Sequence, residues 1–280
     1  ASCVPGPGEL PEQRGHAGDP GLAALPNIRP VAGGEHAASW IKENLDAYFR
    51  RREGLEYRSR AAWALREMDD KFSFLRPDTV VVDLGCFSGG WSQVCVERTL
   101  PSSSSSMVIG VDKVRMDPLD GHTFIQGDVA AEDTLQALQA ALGDRRADVV
   151  LSDLAPALVG LKYEDHMASM QCCLYAARIM EKVLRLGGWF VVKLQWGPEQ
   201  GHWRTYLDSR FDTVRSLKPP ASRRNHREMY CACRGFRGRP RLAEEVVAGP
   251  HMSRHEGKDR WDAEVRKVHN DFPASTPAAQ

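Results

Sequence analysis

A glycine-rich turn is the first feature of the sequence that could bind a ligand. The pattern Asp83-x-Gly85-x-x-x-Gly89-Gly90-Trp91 lies where an apolar run at 79–84 gives way to a stretch with helical spacing. In an open α/β sheet, ligands bind beyond the carboxyl ends of the strands, where glycines allow close approach and a helix N-terminus offers unpaired N–H groups. The turn therefore predicts a ligand site, although tight packing of a strand against a helix also selects glycine.

Two further carboxylates indicate the kind of ligand. Asp112 ends the second apolar run, where a carboxylate can accept hydrogen bonds from both hydroxyls of a ribose. Asp128 ends the third run, where a carboxylate could meet the amino group of an adenine. A nicotinamide dehydrogenase would need the spacing GxGxxG, which this turn lacks. Because the Asp83 carboxylate suits a cation better than a pyrophosphate, the pattern favours S-adenosylmethionine, which carries an ammonium and a sulfonium group.

Apolar runs alternate with helical patterns through the middle of the chain. Short runs rich in β-branched residues, typical of buried parallel strands, lie at 79–84, 107–111, 122–125, 147–151 and 189–192. Helices are predicted from 61 toward 75, over 134–142 and over 166–186, the last ended by the glycine pair at 187–188. This alternation predicts an α/β fold with a mostly parallel sheet and helices on both faces. Runs around 211–214 and 228–233 add an antiparallel edge hairpin, which makes seven strands.

The two ends of the chain differ from this middle. Residues 1–38 are rich in proline, glycine and alanine, and we expect an extended arm there. Residues 39–236 form the predicted domain, which begins with a helical pattern near 40–48. Residues 237–280 form a charged tail with one helical pattern near 261–268.

Composition excludes some classes of protein. The chain has 280 residues, 42% hydrophobic and 26% charged, and no apolar stretch long enough to span a membrane. Its seven cysteines lack the spacing of a disulfide scaffold or a zinc site, so we expect thiols and no metal. Thiols indicate a reducing compartment. Because the sequence starts at Ala1 rather than methionine, we expect that a leader has been removed or left out. We expect a mitochondrial location, with another reducing intracellular compartment as the alternative.

Eight short motifs follow one another in a specific order and spacing. They are Tyr57-Arg58-Ser59-Arg60-Ala61, Val82-Asp83-Leu84-Gly85, Gly89-Gly90-Trp91-Ser92-Gln93, Met116-Asp117-Pro118, Phe124-Ile125-Gln126-Gly127-Asp128, Ser152-Asp153-Leu154-Ala155-Pro156, Phe190-Val191-Val192-Lys193 and Arg227-Glu228-Met229-Tyr230. Over roughly residues 40–236 the chain resembles the FtsJ/RrmJ-like ribosomal RNA 2′-O-methyltransferases. The resemblance implies a Rossmann-like class I methyltransferase fold with S-adenosylmethionine as the methyl donor.

The resemblance also implies a catalytic tetrad of Lys, Asp, Lys and Glu. Asp153 matches the aspartate, Lys193 the second lysine and Glu228 the glutamate, and Asp153 also counts among the cofactor-binding residues. The first lysine is expected one residue before a leucine in the helix that follows Arg60. Ala64 stands at that position, so the tetrad is incomplete.

The missing lysine changes the expected chemistry. Two carboxylates around one ammonium favour the protonated form of Lys193, which makes it a weaker base, and a cation that would stabilise the developing alkoxide is lost. Loss of one positioned acid–base group costs roughly 10²- to 10⁴-fold in rate. We therefore expect a slow enzyme, an enzyme in which Lys71 or Lys162 substitutes, or an inactive one. Phe87, where the family has a small residue or proline, either narrows the cofactor pocket or points away.

Basic residues flank the expected site. Residues 204–241 contain eleven Lys or Arg and three acids, and Arg223, Arg224 and Arg227 directly precede Glu228. Arg58 and Arg60, with Arg50–Arg52, precede the Ala64 helix. Such clusters suit an RNA phosphate backbone, with solvated helix faces as the alternative.

The function expected from the sequence is S-adenosylmethionine-dependent 2′-O-ribose methylation of ribosomal RNA during ribosome assembly, with ribosomal RNA and a pre-ribosomal particle as partners. The alternative is a catalytically impaired protein that binds RNA as a ribosome assembly factor. The flexible arm and tail suit wrapping a large particle and favour that alternative mildly.

Overall fold

Each apolar run of the sequence folds as a strand of a single sheet. The computed structural model describes residues 57–99, 105–221 and 227–238, so the predictions for the arm and the tail lie outside the described residues. The strands are β1 (Val80–Leu84), β2 (Met107–Asp112), β3 (His122–Gln126), β4 (Ala147–Ser152), β5 (Leu184–Gln195), β6 (Phe211–Leu217) and β7 (Glu228–Phe236). The helices are α1 (Ala61–Phe72), α2 (Gly90–Thr99), α3 (Glu132–Leu142), α4 (Lys162–Val183) and α5 (Gln200–Asp208).

The seven strands lie in the order β3-β2-β1-β4-β5-β7-β6. Strands β1 to β5 are parallel to one another, whereas β7 pairs antiparallel with both β5 and β6. The hairpin of β6 and β7 therefore forms one edge of the sheet, with β6 as the outermost strand and β7 between β6 and β5. The predicted α/β sheet with an antiparallel edge hairpin is confirmed.

Alternate residues of the strands bury two separate apolar faces. Val80, Val82 and Leu84 of β1 point to one face, which is covered by side chains of α3, α4 and α5. Val81 points to the other face and packs with side chains of α1 and α2. Two buried faces explain why the strands read as continuous apolar runs, and they confirm helices on both sides of the sheet.

The predicted end of the long helix is wrong. Helix α4 ends at Val183 and β5 begins at once with Leu184, which is buried and pairs with Ala147. The next pair joins Val149 to Trp189, so residues 185–188 form a bulge in β5. Gly187, with φ +76°, allows this bulge to form. The glycine pair thus shapes a strand irregularity and does not end the helix.

Helix α5 was not predicted. Trp203, Tyr206 and Leu207 are buried on one side of it, at the i, i+3, i+4 spacing that marks an amphipathic helix. The signal was present in the sequence, but the helix has only nine residues and begins five residues after the last residue of β5.

The described cysteines are free thiols. Six are present in the described ranges, and all but Cys172 are buried. No helix in these ranges is both long enough and apolar enough to cross a bilayer. The same ranges contain no cluster of three or more His, Cys, Asp or Glu side chains suited to a metal ion.

Candidate active site

The sheet topology brings the predicted catalytic residues to one edge. Asp153 directly follows β4, and Lys193 lies near the carboxyl end of β5, which runs parallel to β4. Because β7 runs in the opposite direction, its first residue, Glu228, pairs with Gln195 at the same edge. The three residues that the family resemblance assigned to catalysis therefore meet at the carboxyl end of the parallel strands.

Lys193 and Asp153 form a two-point contact. The Lys193 ammonium lies 2.8 Å from Oδ1 of Asp153 and donates a hydrogen bond to the Asp153 backbone carbonyl at 2.9 Å. The Asp153 backbone N–H in turn donates to the carbonyl of Leu84 at 3.0 Å, which ties the pair to the end of β1. An ammonium has three donors, so these contacts leave one position on Nζ for another partner.

Burial dominates the electrostatics of Asp153. Burial raises its pKa, the adjacent Lys193 ammonium opposes that rise, and the Glu228 carboxylate adds a further, smaller rise. The site thus holds two carboxylates and one ammonium, as the sequence predicts.

A small cavity opens beside the ammonium. Lys193, Gln195 and Glu228 form its polar side, and Leu154, Pro156 and Leu158 of the loop after β4 form its apolar side. Phe87 does not line this cavity, and its side chain is 54% exposed. The Lys193 side chain therefore lies at a small cavity that has one polar and one apolar side.

Asp83 is the most buried carboxyl group near this edge. It is fully buried, and the Ser92 hydroxyl donates a hydrogen bond to its Oδ2 at 2.7 Å. Its Oδ1 is buried without a hydrogen-bond partner among the described residues. Desolvation, opposed by Ser92, raises the pKa of Asp83 to about 7. A buried carboxyl with one unsatisfied oxygen suits a cationic ligand group, as the sequence analysis inferred.

The glycines of the turn lie against protein atoms. A Cβ on Gly85 would lie 2.9 Å from the backbone N of Leu154, and Gly85 has φ +78°. A Cβ on Gly89 would lie 2.9 Å from Arg58, and one on Gly90 would lie 2.0 Å from the Ser59 hydroxyl. Close packing of the turn is therefore one reason for these glycines, and their contact with a cofactor stays a prediction.

Trp91 anchors the same turn. Its indole is buried and donates a hydrogen bond to the carbonyl of Ala61 at 2.8 Å, and its ring lies 5.9 Å from that of Tyr230. These contacts join α2 to α1 and to the start of β7. Trp91 thus supports the site from the core, and a direct contact with a cofactor stays a prediction.

The two acids assigned to nucleoside recognition lie at the carboxyl ends of neighbouring strands, Asp112 as the last residue of β2 and Asp128 two residues after β3. Asp112 accepts hydrogen bonds from the backbone N–H groups of Phe87 at 3.0 Å and Val114 at 2.8 Å, so it fixes the glycine turn to the end of β2. Asp128 is exposed and accepts a hydrogen bond from the Ala130 N–H at 2.9 Å. Both carboxylates keep further acceptor positions, and their role toward a ribose and an adenine stays a prediction.

The predicted RNA-binding arginines have different environments. The Arg58 guanidinium donates to the backbone carbonyls of Asp117 and Pro118 at 2.7 and 2.5 Å, and Arg60 donates to that of Ala221 at 3.2 Å. Both therefore brace neighbouring loops, whereas Arg227 is exposed at the active-site edge. Arg223 and Arg224, like Arg50–Arg52, lie outside the described residues.

The two lysines that could replace the missing one, Lys71 and Lys162, lie in different parts of the structure. Ala64 is 3% exposed and packs in the first turn of α1. Lys71 lies in the last turn of α1, about 10 Å from Ala64 along the helix axis, and its amine stacks over Phe72. Lys162, the first residue of α4, lies beside Arg227, whose guanidinium contacts the Lys162 carbonyl at 3.5 Å. Of the two, only Lys162 lies toward the site.

The turn after β5 was missed by the sequence analysis. His166 of α4 is fully buried, and its Nδ1 lies 2.8 Å from the carbonyl of Gln195. Its Nε2 accepts a hydrogen bond from the backbone N–H of Glu199 at 3.0 Å, so Nδ1 must carry the proton of a neutral ring. Burial lowers the pKa of His166. The exposed Trp196 lies in this turn, and the only sequence signal for it is its position three residues after Lys193.

The sequence and the structure of this chain are similar to those of known proteins. A model of the family described as FtsJ-like methyltransferase matches residues 57–236. The Ribosomal RNA large subunit methyltransferase E of Parvibaculum lavamentivorans is 42% identical over 210 residues, covering 71% of this chain and 82% of the relative. That of Methanothrix thermoacetophila is 40% identical over 189 residues, covering 68% and 72%. A solved structure from Plasmodium falciparum, provisionally assigned as a ribosomal RNA methyltransferase, is 36% identical with a TM-score of 0.60 and covers 65% of this chain and 100% of that chain.

Proposed function

This chain belongs to the FtsJ-like methyltransferase family, and we propose that it transfers a methyl group from S-adenosylmethionine to a ribose 2′-hydroxyl of large-subunit ribosomal RNA. The observation that carries the proposal is the contact between Lys193 and Asp153 beside a cavity that Glu228 also lines. The names of the relatives support ribosomal RNA as the substrate.

The residues of the site divide the work of activating a hydroxyl. A ribose 2′-hydroxyl is a poor nucleophile, so it needs a base and a fixed position. In its neutral form, the Lys193 amine can accept the hydroxyl proton at the position on Nζ that Asp153 leaves open. In its protonated form, it can stabilise the oxyanion. Asp153 fixes the amine, and Glu228 lies where it can orient the incoming hydroxyl.

The residues around the glycine turn fit a cationic cofactor. The unsatisfied Oδ1 of Asp83 suits the positive groups of S-adenosylmethionine, and Asp112 and Asp128 lie at the ends of the next two strands, where they suit a nucleoside. When bound, S-adenosylmethionine supplies an electrophilic methyl group. The chain contributes the carboxylates that hold the cofactor and, from the loop after β4, the apolar side of the cavity.

The setting of the reaction is part of the same proposal. Free cysteine thiols support a reducing compartment, and we propose the mitochondrion, with a precursor of the large ribosomal subunit as the particle that carries the RNA. Localisation of the tagged full-length gene product, followed by isolation of the RNA bound to it, tests both statements. Recovery of the protein in another compartment without ribosomal RNA would contradict them.

A methyl-transfer assay with three lysine variants tests the chemistry. The wild-type protein is expected to transfer labelled methyl from S-adenosylmethionine to an unmodified large-subunit ribosomal RNA fragment, and Lys193→Ala is expected to transfer none. Lys71→Ala is the matched control, because Phe72 next to it contacts Trp189, which lies four residues before Lys193 and away from the carboxyl end of β5. Lys162→Ala asks whether that amine replaces the missing lysine, and a loss of roughly 10²-fold or more would mean that it does. Absence of transfer by the wild-type protein would contradict the proposed function.

A further inference from the structure

Exposed apolar side chains gather at the active-site edge of the sheet. Of the eight large apolar residues that are exposed in the described ranges, seven follow the carboxyl ends of β1, β2, β4 and β5: Phe87, Val114, Leu158, Val159, Leu161, Tyr163 and Trp196. The eighth, Leu186, lies in the bulge at the opposite end of β5. An apolar rim around a charged site indicates a surface that binds something besides water.

Trp196 stands apart from the other described tryptophans. Trp91 and Trp203 are buried, and Trp63 and Trp189 pack against aromatic neighbours. Trp196 is 56% exposed, and within the described ranges its indole makes no hydrogen bond or ring contact. More than half of the Trp196 surface is thus exposed to solvent, where a tryptophan without a binding role gains little.

The backbone around Trp196 is held firmly. Its N–H donates to the carbonyl of Arg227 at 2.8 Å, which extends the pairing of β5 and β7 by one residue. The two ring nitrogens of His166 in α4 form hydrogen bonds with the carbonyl of Gln195 and the N–H of Glu199, one before and one after Trp196 in the chain. A Cβ on Gly197 would lie 2.3 Å from the His166 ring, so this turn packs directly on it. Because the turn is fixed in advance, a ligand that binds the indole pays little entropy to order it.

Trp196 adjoins both the reaction site and a cation. Its neighbour Gln195 lines the cavity together with Lys193 and Glu228. On the other side, Arg227 is exposed, and Lys162 and Lys113 are exposed on the same edge of the sheet. A flat π-surface among cations matches a nucleobase flanked by phosphates, the pattern of single-stranded RNA sites.

We propose that Trp196 stacks on an unpaired nucleobase next to the nucleotide that is methylated, while Arg227 contacts the RNA backbone. This inference rests on the proposed function and adds a substrate-positioning residue that the catalytic motifs do not include. It also predicts that the target lies in an unpaired or opened segment, because a base inside a duplex cannot stack on a side chain.

Binding of fluorescently labelled oligo(A) to the full chain, measured by anisotropy without cofactor, tests the proposal. Trp196→Ala is expected to weaken binding roughly 5- to 150-fold, the range for loss of one stacked base. Trp196→Phe keeps a ring and is expected to lose less. Leu186→Ala, the matched control at the opposite edge, is expected to bind as the wild type does.

Salt dependence separates stacking from charge. Trp196→Ala is expected to shift affinity equally at every salt concentration, whereas Arg227→Ala is expected to reduce the slope of log K against log[salt] by about one. With the ribosomal RNA fragment as substrate, Trp196→Ala is expected to raise KM and to leave S-adenosylmethionine binding unchanged.

The outcomes distinguish this inference from the proposed function. Wild-type affinity and KM in Trp196→Ala would overturn the stacking role even if the wild-type protein methylates RNA, and the apolar rim would then be a surface for a protein partner. Affinity for oligo(A) that depends on Trp196, in a protein that transfers no methyl group, would support the stacking role and contradict the proposed function.

Discussion

Removal of the Asp83 charge is expected to stabilise the free protein at neutral and alkaline pH. Asp83 is fully buried, and one of its oxygens has no partner in the described residues. Desolvation raises its pKa from 3.8 to about 7. In an unfolded chain the carboxyl ionises near its ordinary value, so the folded protein loses stability as the pH rises from about 4 through 7.

The magnitude follows from the size of that rise. One pKa unit corresponds to about 1.4 kcal/mol, so the ionised carboxylate destabilises the fold by about 4 kcal/mol above pH 7. Asp83→Asn removes the charge and keeps an oxygen that can accept the Ser92 hydrogen bond. The stability of the variant minus that of the wild type is therefore expected to grow by a few kcal/mol between pH 5 and pH 8.

Urea unfolding of both proteins, followed by circular dichroism at several pH values, gives this difference directly. Groups common to both proteins cancel in the subtraction, and the value at pH 5 serves as the internal control. A difference that stays constant from pH 5 to pH 8 would refute the claim that Asp83 is a strained buried acid. The same charge is expected to favour the cofactor, so affinity for S-adenosylmethionine should rise with pH in the wild type but not in Asp83→Asn.

Three further substitutions test other parts of the structure. His166→Phe is expected to cost about 2 kcal/mol at pH 7.5 in urea unfolding, because two backbone hydrogen bonds are lost. Burial lowers the pKa of His166, so the extra stability of the wild type over the variant is expected to shrink as the pH falls below 6.5. A stability difference that grows below pH 6.5 would contradict this expectation. Gly85→Ala is expected to lower stability by at least about 1 kcal/mol more than Gly160→Ala, since the two share a positive φ but only Gly85 abuts backbone atoms; equal losses would argue against close packing. Ala64→Lys, measured by single-turnover methyl transfer, is expected to raise the rate roughly 10²-fold or more, and no gain in a folded variant would argue against the tetrad assignment.

The strands were predictable because the apolar runs in the sequence coincide with the segments that pair in the sheet. The β-branched runs became β1 to β4 within one residue of their predicted ends. In β1, β2 and β4 the reason is that both faces of the strand are buried, whereas β3 at the edge is only partly buried. The end of α4 was not predictable locally. Its position depends on the pairing of Leu184 with Ala147, and the sequence around 187–188 does not encode that contact.

The candidate site was predictable in its residues but not in its geometry. The motifs indicate that Asp153, Lys193 and Glu228 belong together, and the reversed direction of β7 explains how Glu228 reaches the other two. The hydrogen bonds of the Arg58 guanidinium to backbone carbonyls could not be predicted from the sequence, because the acceptors lie about 60 residues away in the loop after β2. Trp196 was missed for a similar reason, since its exposure depends on how β7 and α4 pack around it.

The most direct test of the account is to identify the methylated nucleoside. Large-subunit ribosomal RNA that lacks the modification is incubated with the protein and S-adenosylmethionine, digested to nucleosides and analysed by mass spectrometry. One added 2′-O-methylated ribose is predicted with the wild type, and none with Lys193→Ala. A methyl group on a base, or the same product from both proteins, would contradict the role assigned to the Lys193 amine.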